Sequence, residues 1–148
     1  MAAFKSDKRS CIEKLVTLIK GVNDGNTPVH KHYFNEVYVG MPEKIPTGYK
    51  NIAIIEPVTD PEFYYTTCAT NFTYDFDLYI TVLTKGHKDL AALDNLDALD
   101  STILALRADE KLTGSCIYST IEEVIYGDFG VEKRNLIAAS RITLRINL

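Results

Sequence analysis

The amino-acid sequence predicts an α+β domain in which two helices pack on one face of a mostly antiparallel sheet. Two observations carry this expectation. Phe72–Thr84 and Leu136–Leu148 alternate apolar and polar residues at the two-residue period of a strand with one face on a core. Ser10–Val22 and Asp89–Leu106 repeat apolar residues at the three- and four-residue spacing of an amphipathic helix. The order along the chain is helix, three or four strands, helix, two strands, and a length of 148 residues fits one domain spanning residues 1–148.

The first helix places Ile12, Leu15, Val16, Ile19 and Val22 on one face. Ser10 is suited to cap its N-terminus, with Glu13 three residues later as in a capping box, and Gly21 and Asn23 to Asn26 stop it. A strand is expected at Tyr33–Val39, followed by the turn-rich stretch from Gly40 to Gly48. Asn51–Val58 contains Ile52-Ala53-Ile54-Ile55, apolar on both faces, and reads as a buried strand closed by Pro57, Asp60 and Pro61.

In Phe72–Thr84 the residues Phe72, Tyr74, Phe76, Leu78, Ile80 and Val82 point one way, with Thr73, Asp75, Asp77 and Thr81 opposite. The second helix carries the stripe Ala92, Leu96, Leu99, Ile103 and Leu106, which is expected to lie on the sheet. Strands at Ser115–Tyr126 and Leu136–Leu148 finish the chain, joined through Gly127-Asp128-Phe129-Gly130. The last one points Ser140, Ile142, Leu144, Ile146 and Leu148 inward. Two of these strands are about twice the usual five or six residues, so each either overhangs the core or is broken by a bulge.

Composition narrows the function. Hydrophobic residues are 46 % and charged residues 24 %, ordinary for a folded domain. A net charge of -4 supplies no reason to expect a nucleic-acid partner, and no run is long enough to span a membrane. Cys11, Cys68 and Cys116 are scattered among apolar neighbours and read as structural thiols. The opening MAAFKSDKRS lacks the apolar stretch of a signal peptide, so a cytosolic product is expected and the sequon Asn71-Phe72-Thr73 carries no meaning.

No constellation for catalysis or cofactor binding emerges. His30 and His32 share one side of an extended segment, but His87 is the only further histidine, so a solvated loop is the reading. Asp94, Asp97 and Asp100 sit on the second helix without a basic partner at matching spacing and read as a solvated acidic face. Glycine-rich phosphate loops, GxSxG and HExxH are absent. The expectation is a protein that is not an enzyme and needs neither metal nor cofactor. The nine tyrosines read as core or interface residues.

Two features suit protein contacts. Leu90, Leu93 and Leu104 fall off the main stripe of the second helix, beside Asp97 and Asp100. They form either a contact surface or the second side of a helix wedged between two core segments. The segment Gly127–Arg134, with Phe129, Glu132, Lys133 and Arg134, suits an exposed recognition loop. Phe129, Glu132, Lys133, Arg134, Leu93 and Leu104 are therefore the candidate interface residues.

The order of elements carries a resemblance. An amphipathic helix leads to Gly40-Met41-Pro42 and Ile45-Pro46, then to a buried strand, a long alternating strand and a second helix. That helix ends in a run from Leu106 to Gly114 that matches Leu-x-Asp-x-x-Leu-x-Gly with one residue of slack, and the chain continues through Gly127 to Gly130 into a final alternating strand. This pattern resembles the tail terminator proteins of long-tailed bacteriophages and, more loosely, phage neck and tail-completion proteins. The resemblance implies a structural virion protein, assembled in the host cytoplasm, that caps the head-proximal end of the tail tube as a six-membered ring. It implies contacts with copies of itself, with the tail tube protein and with a head-completion or neck protein. A head–tail connector is the near alternative. An α+β interaction or ligand-binding domain unrelated to phage is the distant one.

Overall fold

The structure, a computed structural model, describes residues 7–23, 25, 32–40, 42, 48–59, 63–65, 72–86, 89–114, 116, 118–132 and 135–147. Its elements are α1 (Asp7–Lys20), β1 (Glu36–Val39), β2 (Asn51–Thr59), β3 (Phe63–Tyr65), β4 (Phe72–Gly86), α2 (Asp89–Ala108), β5 (Tyr118–Glu132) and β6 (Asn135–Asn147). The strands form one sheet in the order β1-β2-β4-β6-β5, with β3 paired to β4 beyond the end of β2. Among the described residues β1 and β2 run parallel and the other strand pairings are antiparallel. This is the α+β class that the sequence predicts.

Alternation in β4 and β6 sorts the two faces. Phe76, Leu78, Ile80 and Val82 of β4 and Ile142, Leu144 and Ile146 of β6 are buried under the helices. From α1, Cys11, Leu15 and Ile19 join that core, and from α2, Ala98, Leu99 and Leu106. α1 lies over β1 and β2, and α2 over β4 and β6. β2 is apolar on both sides because its other face holds a second small cluster, where Ile52 and Ile54 pack with Tyr49. Elsewhere that outer face mixes polar and apolar residues: Arg145 pairs with Asp77 at 3.0 Å, Arg141 lies over the Tyr79 ring at 4.4 Å, and Ile125 is exposed opposite Arg141.

Several boundaries differ from the sequence reading. Ser10 lies inside α1, which already includes Asp7, so it does not cap the helix, and Glu13 pairs with Arg9 at 3.0 Å instead. β1 is shorter than expected because the Asn35 carboxamide accepts from the Lys50 and Asn51 amides, at 2.7 and 3.1 Å. Pro57 does not end β2, which shifts register between Pro57 and Thr59 and runs on. β4 and β6 pair without a shift from Asp75↔Asn147 to Gly86↔Leu136, so the overhang is Phe72–Tyr74, paired by β3. The bulges fall in β5, between Ile121 and Glu123 and between Tyr126 and Asp128.

The largest correction concerns the expected loop at Gly127–Arg134. β5 continues through it to Glu132, opposite Asn135. Gly127 is not a loop glycine but the positive-φ residue (φ 61) of the second bulge, which lets the strand kink and keep pairing. Phe129 and Glu132 are thus strand residues at the end of a hairpin, with Phe129 opposite Ala138. Lys133 and Arg134 lie outside the described residues, as do His30, His87, Cys68 and Asn71.

Candidate interaction surface

The outer side of α2 owes its character to which residues the helix buries. The buried residues are Ala91, Asn95, Ala98, Leu99, Thr102 and Leu106, turned about one residue from the expected stripe. Small alanines let the helix approach the sheet closely. Asn95 shares its amide hydrogens among Val82 O at 3.1 Å, Thr84 Oγ1 at 3.0 Å and Ala138 O at 3.3 Å. Thr84 in turn donates to Asn51 Oδ1 at 2.6 Å, and Thr102 donates to Ala98 O at 2.7 Å. A buried polar side chain with its bonds made costs little, so these residues occupy the sheet side and displace leucine from it.

Leu96 is the consequence. Expected in the core, it is 38 % exposed, and Leu90, Leu93 and Leu104 are 61, 56 and 67 % exposed. A helix with apolar residues around most of its circumference is built to be covered on more than one side. Of the two readings left open for this strip, the structure shows the exposed one. Asp97 and Asp100 are exposed beside the leucines, and Asp94 reaches Lys50 at 3.5 Å on the flank towards β2.

β5 extends this surface. Neither helix has β5 among its principal contacts, and Tyr126, opposite Ser140 on the helix face, is 58 % exposed, whereas Ile125, opposite Arg141, is exposed on the other face of the sheet. Between α2 and β5 lies an apolar groove of about 340 Å³, bordered by Ala92, Leu96, Tyr126 and Ala138. A second, more polar groove of about 320 Å³ continues along the same seam, between Leu106 and Arg107 of α2 and Tyr118 to Ile121 of β5. The buried Ser119 hydroxyl there has no hydrogen-bond partner among the described residues.

The seam ends in an unusual connection. Leu112, Thr113 and Gly114 follow α2 with φ of 48, 57 and 83°, three successive left-handed residues. Asp109 holds them, accepting from the Thr113 amide at 2.9 Å and its hydroxyl at 3.0 Å, while Leu112 is buried. Ser119 N donates to Glu110 O at 2.6 Å and so sets β5 against the helix end. Cys116 lies here too. Burial, and then the Asp109 carboxylate, push its thiol pKa up, while a side-chain hydrogen bond with Cys11 of α1 opposes the rise.

Among the six candidate residues, Leu93 and Leu104 are on the surface described here. Phe129 and Glu132 fall in the part of β5 that lies past Tyr126. Leu96, Tyr118 and Tyr126 line the grooves without being among those six. Leu96 follows the apolar stripe, and nothing local reveals that Asn95 outranks it. Among the described residues no three His, Cys, Asp or Glu side chains gather as a metal site, and no helix is long and apolar enough to cross a membrane. Comparison with models of protein families finds no match, and neither does comparison with curated proteins.

Proposed function

We propose that this chain is a structural assembly protein of a long-tailed bacteriophage, a tail terminator that closes the head-proximal end of the tail tube as a ring. The observation that carries the reading is the exposed face of α2, where Leu90, Leu93, Leu96 and Leu104 stand beside Asp97 and Asp100 and Leu96 borders the groove against β5. A monomer has no use for so much apolar surface on one helix, whereas a subunit joined to others covers it. The order of elements supports the phage assignment through the resemblance drawn from the sequence.

In this reading the ring subunits meet through side surfaces, and one rim meets the tube protein while the other meets a head-completion or neck protein. Rotation between identical contacts closes a ring, so the contact surfaces on one subunit are two different patches. Function then resides in shape and affinity, with no reaction catalysed. Deleting the gene tests this directly. The reading expects tubes of uncontrolled length and heads left unjoined; tails of normal length attached to heads contradict it.

A further inference from the structure

We infer that the seam between α2 and β5 is the seat for α1 of a second copy of this chain. Among the described residues the helix layer has two members for a five-strand row: α1 over β1 and β2, α2 over β4 and β6. The place beside α2 above β5 is held by the two grooves instead. From Ala92 to Arg107 the seam follows roughly 22 Å of helix, and α1, with 14 residues, is about 21 Å long.

Directions agree. α1 runs opposite to α2, since Lys8 near its start lies over Phe76 in the first half of β4 and the free thiol of Cys11 shares a side-chain hydrogen bond with Cys116 just past the end of α2. With Cys11 and Leu18 on the flank towards α2, the flank turned away carries Arg9, Ile12, Val16 and Lys20 at about 100° per residue. Ile12 and Val16 are only partly buried within the subunit. The same construction places Leu96 and Asp100 of α2 on the β5 side. An incoming α1 therefore presents two apolar residues to Leu96 and Tyr126 and Lys20 towards Asp100, while Arg9 stays paired with Glu13 and Arg107 borders the far end of the seam.

The strands point to the same arrangement. β5 is one edge of the sheet and β1 the other. Through β6, β4 and β2, the two edges run in opposite directions within the subunit. A neighbouring copy that seats its α1 on the seam brings its β1 alongside β5 in antiparallel orientation, so sheet and helix layer continue together across the boundary. The two patches differ, which makes the contact head-to-tail. This inference deepens the assembly reading and rests on it for ring closure.

Sedimentation of the purified full chain at low salt, up to about 1 mM, tests the contact. The wild type is expected to self-associate. Lys20→Glu weakens association roughly fivefold, and Asp100→Lys does the same, because each leaves like charges facing. An equimolar mixture of the two altered chains regains the wild-type association, since each now offers the other a complementary charge. Leu96→Ser weakens association without a change of charge. A wild type that stays monomeric across the range, or a mixture that fails to recover, overturns the contact. Neither outcome bears on whether the chain caps a tail, which gene deletion and imaging of particles decide separately.

Discussion

Asn95 donates its side-chain amide to the Thr84 hydroxyl at 3.0 Å from inside the interface between α2 and β4. The relation decides which way α2 faces. With Asn95 committed to the sheet, Leu96 comes out on the side of β5, at the edge of the groove it shares with Tyr126. Replacing Asn95 with Ala leaves Val82 O and Ala138 O short of a donor in a buried site, and this is expected to cost about 1–3 kcal/mol. Urea denaturation measures it, and a loss no larger than that at an exposed position contradicts the role given to the network.

The division of α2 into a buried and an exposed side makes a sharp contrast. Leu99→Ala should cost about 2–5 kcal/mol, since Leu99 is fully buried under the helix. Leu104→Ser and Asp97→Ala should each stay within about 0.5 kcal/mol. Comparable losses at Leu99 and Leu104 would show that the leucine strip is covered within the subunit.

At the end of α2, the strained backbone and its hydrogen bonds pull in opposite directions. Thr113 is β-branched and sits at φ 57°, where only glycine is comfortable. Thr113→Gly relieves that strain and is expected to stabilise the fold by up to about 1 kcal/mol, despite losing the hydroxyl bond to Asp109. Asp109→Ala removes the acceptor of both Thr113 bonds and should destabilise by about 1 kcal/mol. Thermal melts of the two variants shifting the same way would mean the hydroxyl outweighs the strain.

Cys116 gives a dependence on pH. Its folded pKa lies above the ordinary thiol value of 9.0 because burial, and secondarily Asp109, disfavour the thiolate. Stability from the neutral thiol is fully present below the unfolded pKa and is lost as pH rises through the folded one. Reactivity has the matching sign: the native thiol alkylates more slowly than the denatured one near pH 8 and accelerates towards alkaline pH. Asp109→Asn should speed it. Mass spectrometry of time-quenched samples reads the site, and a native rate equal to the denatured rate contradicts the shift.

What could be read in advance follows from where each signal resides. Alternation in β4 and β6 is local, and it sorted Phe76 through Val82 and Ile142 through Ile146 onto the helix face correctly. The rotation of α2 is not local. It depends on Thr84 and Ala138 supplying partners to Asn95 from strands distant in the chain, which no periodicity registers. The glycines at 127 and 130 read as a turn, but Gly127 serves a bulge and β5 runs on, so the hairpin end moved to Glu132–Asn135. Leu93 and Leu104 were recognisable because an apolar residue beside Asp97 and Asp100 is out of place on any helix whose only cover is a sheet. Tyr126 was hidden by its position, four residues before that supposed turn closed.

Cryo-microscopy of intact particles tests the central claim most directly. The account predicts density for six copies of this fold closing the head-proximal end of the tail tube, with the exposed face of α2 covered by a neighbouring subunit. Finding the chain along the tube wall, at the distal tip, or absent from the particle contradicts it.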